Sequence, residues 1–388
     1  MIFLTAYLGG THGTAKSARD FLRAMLSSGS IIKVISPTQE SFPSELCNKR
    51  LSTPLWYKVP VPVYLPSRMW KLRPHNIFSW LNYQYLKFRI YTIPKNETVI
   101  VNGWASYSTW VKIEKRFTGK KVLIIRESPR HFSTVDRDMP IEKLLAGFAS
   151  FDDLIFVSNN IRKEWMKFPE LSKKRSFFVP NCCEEEDVKI SLSQDRNVIR
   201  EKMGLSKNEF IIICPGTIEY RKGQDLLIEI IPNLVSVIPN LRILFIGDTV
   251  TNWGSDLMSK LKSGKHKDYV THFQSTSLIL DLIVASDILA FPSRAEAMPR
   301  TILEAMALKI PIVASNIDGI PELIINNKTG ILFTSNDANE LMNGLIRIAK
   351  DTNIGKEFAL KGYTRYWKKF SRKNQFNNVQ KVMRKIEK

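Results

Sequence analysis

The segment Glu296-Ala-Met-Pro-Arg-Thr-Ile-Leu-Glu304 decides the fold, because it follows Ile288–Phe291, an apolar run typical of a buried strand. Pro299 suits the first position of a helix, where its missing N–H would have no partner anyway. The pattern therefore predicts a strand, a loop and then a helix. The N-terminus of such a helix carries free N–H groups and the positive end of the helix dipole, so it suits a diphosphate.

Two acidic residues frame this helix start. Glu304 would lie a little over one turn inside the helix, where its carboxylate can accept hydrogen bonds from both hydroxyls of a ribose. Glu296, on the loop before the helix, could reach a sugar attached to the diphosphate. A solvated or capping acid is the plainer interpretation of either residue alone. Their combination around a proline-started helix favours a binding site.

Two other turns carry groups suited to phosphate. Pro215-Gly-Thr-Ile-Glu-Tyr-Arg-Lys-Gly223 follows an apolar run, and its Arg221 and Lys222 could neutralise a diphosphate that gains charge as it leaves a sugar. In Asp318-Gly-Ile-Pro-Glu322, the backbone amides of Gly319 and its neighbours could also hold phosphate. Taken alone, each segment is also consistent with an ordinary surface turn.

Outside these turns the chain shows two series of alternating strand and helix patterns, which indicates two doubly wound α/β domains. The first series begins at Ile2–Leu8, and the second begins at Phe210–Cys214. Between them, the acidic run Glu184–Asp187 is predicted to be a linker. The proline-rich residues 37–91 are predicted to form loops and short pieces. Ligands bind outside the carboxyl ends of the strands in such folds, so two facing domains place the ligand in a cleft.

Length and composition fit two soluble domains. The 388 residues exceed one ordinary domain, and the hydrophobic content is 44%, with a mean hydropathy of -0.14. No run of about 18 apolar residues occurs, so no membrane-spanning helix is predicted. The N-terminus has no basic start or small-residue cleavage site of a signal peptide. We therefore expect a cytoplasmic protein.

Charge is the unusual global feature, since the net charge is +20. From Lys49 to Arg126 there are fifteen Lys and Arg but only two acids. A nucleic acid, an anionic membrane surface or a phosphorylated substrate would each explain such an excess. Aromatic residues interleaved with the cations favour a membrane surface, although a solvated basic face over a buried aromatic core remains an alternative. These aromatics are Trp56, Tyr57, Tyr64, Trp70, Trp80, Tyr83, Tyr85, Phe88 and Tyr91.

Together, several segments resemble the donor site of glycosyltransferase family 4, whose mark is two glutamates with seven residues between them. The matching string is Glu296…Glu304-Ala-Met-Ala…Pro311-Ile-Val-Ala-Ser…Gly319…Glu322…Gly330-Ile-Leu-Phe. Gly216–Gln224 is similar to the family's phosphate-binding turn, Val179-Pro-Asn181 to its domain-crossing segment, and Gly9-Gly10 to its N-terminal loop. The resemblance covers the second half closely and the first half loosely.

This resemblance implies an α/β architecture, the GT-B fold, in which two Rossmann-like domains face a cleft. We expect an acceptor-binding domain at residues 1–188, a nucleotide-sugar-binding domain at 189–365, and a C-terminal helix at 366–388 that packs back on the first domain. The resemblance also implies transfer with retention of anomeric configuration and without a metal or other cofactor. The donor would be a UDP-, GDP- or ADP-sugar, and the acceptor a glycan or a lipid-diphosphate-linked glycan.

Carried over by position, the resemblance implies that Lys222 binds the diphosphate, Glu304 the ribose and Glu296 the donor sugar. The expected catalytic residues are Glu296, Lys222, Arg221 and Arg126. The expected donor-binding residues are Gly216, Thr217, Ala297, Met298, Pro299, Thr301, Ile302, Glu304 and Gly319. The expected acceptor or cleft residues are Gly9, Gly10, Thr11, His12, Glu127 and His131.

Two departures from the family pattern put catalysis in question. Thr217 follows the glycine of the phosphate turn, where the family usually has an arginine close by, and Arg221 is expected to compensate from the other side of the turn. Arg126 stands where the family often has a histidine; His131 could substitute only if its loop folds back. A catalytically degenerate protein that acts as a binding or regulatory subunit is therefore the alternative.

No metal site is predicted. Cys47, Cys182, Cys183 and Cys214 lack metal-ligand spacing, so reduced thiols are expected. Asp136-Arg-Asp138 imitates the metal motif of the other large glycosyltransferase fold, but it falls in a predicted surface loop.

Two other protein classes fit the sequence less well. A nicotinamide-dependent oxidoreductase needs a glycine spacing that Gly9–Gly13 lacks. A nucleic-acid-binding protein fits the charge, yet no known nucleic-acid module is found, so we expect no nucleic-acid partner. The sequence therefore predicts a glycosyltransferase of surface polysaccharide synthesis that is cytoplasmic and peripheral on the inner face of the membrane.

Overall fold

The computed structural model contains two parallel β-sheets packed between helices, as the strand–helix alternation predicts. It describes residues 1–6, 8, 13–27, 31–36, 51–56, 91, 93–134 and 140–388, with residues 51–56 described as backbone only. Most of the basic, aromatic segment 49–90 and the Asp136/Asp138 pair therefore lie outside the described residues.

The first sheet has seven strands in the order β3-β2-β1-β4-β5-β6-β7. Aliphatic residues dominate its central strands, which are buried on both faces, as a parallel sheet covered by helices requires. The strands are β1 (Ile2–Thr5), β2 (Ile32–Ser36), β3 (Leu51–Trp56), β4 (Val99–Asn102), β5 (Lys121–Ile125), β6 (Asp153–Phe156) and β7 (Arg175–Phe178). Its helices are α1 (Gly13–Ser27), α2 (Trp104–Ile113), α3 (Pro129–Thr134), α4 (Ile141–Ala149), α5 (Asn159–Trp165) and α6 (Pro169–Ser172).

The second sheet has six strands in the order β10-β9-β8-β11-β12-β13. They are β8 (Phe210–Pro215), β9 (Leu241–Ile246), β10 (Val270–Phe273), β11 (Ile288–Phe291), β12 (Ile312–Ser315) and β13 (Ile331–Phe333). The remaining helices are α7 (Glu185–Ser193), α8 (Arg196–Lys202), α9 (Gln224–Glu229), α10 (Ile231–Val235), α11 (Asn252–Ser263), α12 (Ile279–Ala285), α13 (Arg300–Ala307), α14 (Ile320–Leu323), α15 (Ala338–Lys350), α16 (Thr352–Lys369) and α17 (Arg372–Glu387).

Both sheets reverse their strand order at one point, between β1 and β4 in the first and between β8 and β11 in the second. All described pairings are parallel, so the carboxyl ends of the strands in each sheet lie at one edge. Loops that leave neighbouring strands on either side of such a switch point diverge to opposite faces and leave a crevice. The fold therefore directs the loops after β1 and β4, and those after β8 and β11, toward ligand sites.

The last described helix, α17, packs on the first domain. Its apolar side chains join the same buried cluster as those of α1, so the two helices cover one face of the first sheet together. The expected third segment starts at residue 366, which lies inside α16 rather than at a helix boundary. The buried side chains of this contact are Phe21, Leu22 and Met25 of α1 and Val379, Val382, Met383 and Ile386 of α17.

The predicted linker at Glu184–Asp187 is wrong, since α7 occupies residues Glu185–Ser193. Three acids stand in the first turn of α7, where they interact favourably with the positive end of the helix dipole. Val188 is buried beneath it, and the Glu185 carboxylate accepts a hydrogen bond from the backbone N–H of Arg372 at 2.6 Å. An acidic run is therefore a helix start here, and the expected boundary at 188/189 falls inside it.

Two strands escape the sequence prediction, β3 and β10, and both lie at the edges of their sheets. Edge strands tolerate Pro54 in β3, and the side chains of β10 are only half-buried, so neither has a continuous apolar pattern. The segment after Gly223 forms two helices, α9 and α10, because Pro232 in the first turn of α10 has no N–H with which to continue α9. Among the described residues, no helix is both long and apolar enough to cross a membrane.

Candidate active site

A cavity of about 450 Å³ lies between the two domains at the carboxyl ends of their strands. The first domain contributes the N-terminal turn of α1 and the loop after β5, and the second contributes the loops after β8 and β11 and the start of α13. The cavity brings together most of the described candidate residues. These are Arg126, Glu127, His131, Gly216, Thr217, Arg221, Lys222, Glu296, Ala297, Met298, Pro299, Thr301 and Glu304.

The turn after β8 delivers Lys222 to the cavity. Gly216 has a φ of 143°, and a Cβ atom there would lie 3.1 Å from Cδ of Lys222, so the missing side chain leaves room for the lysine. Gly223 is left-handed (φ 71°), and a Cβ atom there would lie 2.1 Å from the carbonyl oxygen of Pro292. Glycine is therefore needed at position 223 for the turn to pack against Pro292, just after β11, and at position 216 for its positive φ and for the room that Lys222 occupies.

Glu296 and the two cations of this turn form one buried ion cluster. The Glu296 carboxylate accepts from Nη1 of Arg221 at 2.9 Å and from Nζ of Lys222 at 2.5 Å. Burial and the adjacent Arg221 charge lower the pKa of Lys222. Burial alone would raise the pKa of the Glu296 carboxyl, but the Lys222 and Arg221 charges outweigh it and hold that pKa below its usual value. The carboxylate thus neutralises cations that would otherwise attract an anionic ligand.

Asp318 and Gly319 support the loop that carries Glu296 on the side away from the cavity. The backbone N–H of Glu296 donates to Oδ2 of Asp318 at 2.9 Å. A Cβ atom on Gly319 would lie 1.7 Å from the carbonyl oxygen of Ala297, so the two backbones touch and only glycine fits. Gly319 was expected to bind the donor, but the structure places it behind the cavity wall, where it supports the Glu296 loop.

Helix α13 begins one residue later than predicted. Pro299 is its N-cap, in extended conformation (φ -68°, ψ 124°), and Arg300 is the first helical residue. Thr301 and Glu304 line the cavity, whereas Ile302, an expected donor-binding residue, is fully buried in the apolar core. Ile302 points away from the ligand side because successive helical residues turn by about 100° around the axis. The positive end of α13 nevertheless faces the cavity as predicted.

Arg126 lines the floor of the cavity, but protein groups hold its guanidinium. Nε donates to Oδ1 of Asn102 at 2.8 Å, Nη1 to Oδ1 of Asn181 at 2.9 Å, and Nη2 to the carbonyl oxygen of Ser17 at 3.4 Å. Burial lowers the pKa of Arg126 to about 10. The amide Nδ2 of Asn181 donates in turn to the carbonyl oxygen of Met298 at 2.8 Å. Arg126 and Asn181 therefore connect the loop after β5 to the loop that carries Glu296 and Met298.

Glu127 and His131 lie on the same side as Arg126. The Glu127 carboxylate accepts from the backbone N–H of Trp104 at 3.2 Å and of Arg126 at 3.0 Å, so it caps the start of α2. Burial raises the pKa of Glu127. His131 lies in α3 and also lines the cavity. The other expected acceptor residues, Gly9, Gly10, Thr11 and His12, lie outside the described residues.

A buried ion pair between the domains was not predicted from the sequence. Nη1 of Arg300 donates to Oδ2 of Asp20 at 2.5 Å, and both side chains are buried. Asp20 lies on α1, and Arg300 begins α13. Asn102 and Asn181 were also missed as supports of Arg126. Arg300 lies within the segment Glu296–Glu304. A charged residue at the start of an otherwise apolar helix could have indicated a buried ion pair.

In the part of the chain that the structure describes, no group of three His, Cys, Asp or Glu side chains could hold a metal ion. Cys182, Cys183 and Cys214 are free and buried.

Comparison with known proteins finds sequence relatives mainly of the second half of the chain. A family model described as "Glycosyl transferases group 1" matches residues 195–365. A GDP-mannose-dependent monoacylated alpha-(1-6)-phosphatidylinositol monomannoside mannosyltransferase of Corynebacterium glutamicum is 26% identical over 170 residues, 41% of this chain and 42% of that protein. A UDP-Gal:alpha-D-GlcNAc-diphosphoundecaprenol alpha-1,3-galactosyltransferase of Escherichia coli is 26% identical over 208 residues, 51% of each chain. The chain thus matches about half the length of these curated relatives.

Solved structures resemble the whole chain. Sucrose-phosphate synthase from Thermosynechococcus elongatus superimposes with a TM-score of 0.76 at 16% identity, covering 99% of this chain and 98% of that one. Anabaena HepE in complex with UDP-glucose gives a TM-score of 0.74 at 17% identity, with 99% of each chain covered. Identities this low bear on the fold alone. The chain therefore has the predicted GT-B fold, and its residues 195–365 match the model of the glycosyl transferases group 1 family.

Proposed function

We propose that the protein transfers a sugar from a nucleotide-sugar donor to a hydroxyl of a glycan or lipid-linked glycan, with retention of anomeric configuration. The observation that carries the proposal is the cluster of Glu296, Arg221 and Lys222 beside the N-terminus of α13. It combines two cations, free backbone N–H groups and a carboxylate within one cavity. These are the groups that a sugar diphosphate needs for its charge and for its sugar hydroxyls.

In this proposal the diphosphate displaces the Glu296 carboxylate from Lys222 and Arg221. The cations then neutralise the charge that grows on the departing diphosphate, which removes the need for a metal ion. Glu296, released from the cations, accepts hydrogen bonds from hydroxyls of the donor sugar, and Glu304 accepts from the ribose. Closure of the two domains excludes water that would hydrolyse the donor.

Retention follows if the acceptor hydroxyl attacks from the face that the diphosphate leaves, with a phosphate oxygen as the base. The bond between the anomeric carbon and the diphosphate breaks, and the acceptor oxygen forms the new bond while its proton passes to the phosphate. Such a reaction needs no protein base, so it is compatible with Arg126 at the histidine position and with Glu127 engaged as a helix cap.

We place the acceptor on the first-domain side of the cavity, near Thr14, Lys16 and His131. The names of two relatives mention phosphatidylinositol and diphosphoundecaprenol acceptors, and another is named for capsular polysaccharide biosynthesis. With the net charge of +20, these names support an acceptor on an anionic lipid carrier and peripheral attachment at the inner membrane face. Binding to anionic vesicles that is no stronger than binding to neutral vesicles at low salt would refute the membrane part.

The proposal is tested first by thermal shift with UDP, GDP, ADP and CMP. A ligand at a hundredfold excess over its Kd stabilises the folded protein by about 2.7 kcal/mol. One nucleoside diphosphate should raise the melting temperature most, and a nicotinamide dinucleotide should not. Turnover of the matching nucleotide-sugars is then measured, with NMR of the product anomer to establish retention.

The alternative, a degenerate binding or regulatory protein, is favoured by one observation: each of the three side-chain nitrogens of Arg126 donates a hydrogen bond to a protein group. Such a protein would bind a nucleotide but neither transfer nor hydrolyse its sugar. Turnover that disappears in Glu296→Gln would exclude it.

A further inference from the structure

The buried guanidinium of Arg300 has unused hydrogen-bonding capacity inside the cavity. Nη1 is engaged with Asp20, but Nε and Nη2 have no hydrogen-bond partner among the described residues. The side chain is only 5% exposed, so water does not hydrate these atoms freely. Oε1 of Glu304 is 4.0 Å from Nε, too far for a hydrogen bond. Buried donors without partners are costly and rare in folded proteins.

The surroundings of Arg300 are suited to an anion. Arg300 is the first residue of α13, so its side chain starts where the positive end of that helix faces the cavity. Its Cδ would lie 3.8 Å from a Cβ on Gly13, the first residue of α1, so a second helix N-terminus is adjacent. Gly13 and Thr14 are exposed toward the cavity. Two helix N-termini and two guanidinium nitrogens without hydrogen-bond partners thus lie next to one another.

The charges around Asp20 support the same conclusion. Its carboxylate faces Arg300 at 2.5 Å, Arg23 at 3.3 Å and Arg372 at 3.8 Å. One carboxylate therefore serves three guanidinium groups, and Arg126 adds a fourth cation within electrostatic reach of Arg300. Arg23 and Arg372 also have other carboxylate partners, Glu184 at 3.5 Å and Glu186 at 2.5 Å. Among the described residues, Arg300 has no second carboxylate within hydrogen-bonding distance, so a bound anion would supply the partner that it lacks.

We propose that Arg300 binds the diphosphate of the donor through Nε and Nη2, and that Asp20 is a positioning residue that holds the guanidinium in reach. This inference rests on the proposed function, because it names a further ligand of the same donor. The donor would then contact cations from both sides, with Lys222 and Arg221 on one and Arg300 on the other. Because Asp20 belongs to the first domain, the site is complete only when the two domains are together.

The test compares diphosphate with monophosphate binding. UDP, UMP and inorganic pyrophosphate are titrated by calorimetry into the full-length protein and its variants, with GDP and GMP or ADP and AMP substituted if the thermal-shift screen selects them. Arg300→Gln should weaken diphosphate and pyrophosphate binding about 10- to 100-fold, as expected for losing hydrogen bonds to a charged group. Monophosphate binding should change much less, because only the distal phosphate depends on Arg300.

Arg200→Gln is the matched control, since Arg200 is equally buried and paired with Asp287 at 2.9 Å but lies on α8. It should leave the ratio of diphosphate to monophosphate affinity unchanged. If Arg300→Gln also leaves that ratio unchanged while binding remains measurable, Arg300 is purely structural and the inference is wrong.

Two milder variants keep the test valid if Arg300→Gln does not fold. Arg300→Lys retains the charge but cannot present two parallel N–H donors, and Asp20→Asn retains Arg300 but loosens it. Each should lower the ratio less than Arg300→Gln does, and ratios equal to that of the unmodified protein would overturn the proposal. The proposed function fails separately, if the unmodified protein binds no nucleoside diphosphate. If pyrophosphate binding still depended on Arg300 in that case, Arg300 would belong to an anion-binding site, but the site would not be one for a nucleotide-sugar donor.

Discussion

Two buried charge clusters border the cavity, and they differ in which parts of the chain they join. Glu296, Arg221 and Lys222 all belong to the second domain, on the loops after β8 and β11. Asp20 and Arg300 come from different domains, 280 residues apart in sequence. The first cluster can form whatever the arrangement of the domains, whereas the second exists only when α1 and α13 meet. The ion cluster of the loops after β8 and β11 is thus complete within one domain, but the enclosure of the cavity depends on both domains.

The largest effect should come from breaking the cluster that joins the domains. Asp20→Ala should lower the free energy of unfolding by about 3–5 kcal/mol, because it leaves the Arg300 guanidinium buried without its closest carboxylate. Urea denaturation measures this change, with Asp256→Ala on the exposed face of α11 as the control. The double variant Asp20→Ala/Arg300→Ala should lose less than the sum of its parts. Additive losses would mean that the pair does not couple the domains.

Breaking the cluster within the second domain should affect catalysis more than folding. Glu296→Gln should reduce the transfer rate by about 100-fold or more, since the carboxylate can no longer accept from the donor sugar as strongly. Glu219→Gln is the matched control, because Glu219 pairs with the same Arg221 at 2.7 Å but lies outside the cavity lining. Equal rates in the two variants would contradict the role given to Glu296.

The support behind the Glu296 loop should have an intermediate effect. Gly319→Ala should lower stability by about 1–3 kcal/mol and raise the KM for the donor, because the new methyl group overlaps the carbonyl of Ala297. Gly362→Ala in α16 is the control, since a Cβ there meets its nearest atom at an ordinary 3.4 Å. A Gly319→Ala protein with unchanged melting temperature and KM would show that the close backbone approach is not needed.

The smallest effect is a change in pH dependence. Burial and Arg221 lower the pKa of Lys222, so the lysine loses its proton at a lower pH than a free lysine does. Nucleotide binding needs the charged form and should therefore weaken as the pH rises through this lowered pKa. Lys222→Arg stays charged and should retain its affinity at alkaline pH. Parallel pH profiles of nucleotide Kd for the two proteins would exclude Lys222 as the titrating group.

The candidate site residues of the second domain were more predictable than those of the first, because short sequence motifs mark them. Glu296, Glu304 and Lys222 are marked by their spacing from neighbouring glycines and prolines, and loops after consecutive strand patterns meet at one edge of a sheet. Arg126 was placed at the cavity correctly, but its hydrogen bonds to Asn102 and Asn181 depend on tertiary contacts that no spacing encodes. The Asp20–Arg300 ion pair could not be predicted from the sequence for the same reason.

Two kinds of physical context account for the other misses. The acidic run before α7 is ambiguous, because carboxylates stabilise a helix start as readily as they solvate a linker. Ile302 was expected to bind the donor because of its position in the family motif, yet the helical periodicity of α13 directs its side chain into the apolar core. Gly319 was expected to hold phosphate because glycine amides often do. In the structure, the absence of a side chain at Gly319 instead allows the backbone of Ala297 to approach closely.

The chain passes between its two domains twice, and both passages run side by side. Sγ of Cys183, on the first crossing, lies 2.9 Å from the hydroxyl of Tyr366, on the second, and that hydroxyl also contacts Glu185 at 3.2 Å. Two neighbouring connections define an axis about which one domain rotates most easily relative to the other. We therefore expect the second domain to open and close by rotation about the line through these two crossings. A bulky label introduced beside Tyr366 would restrict this rotation without contacting either substrate.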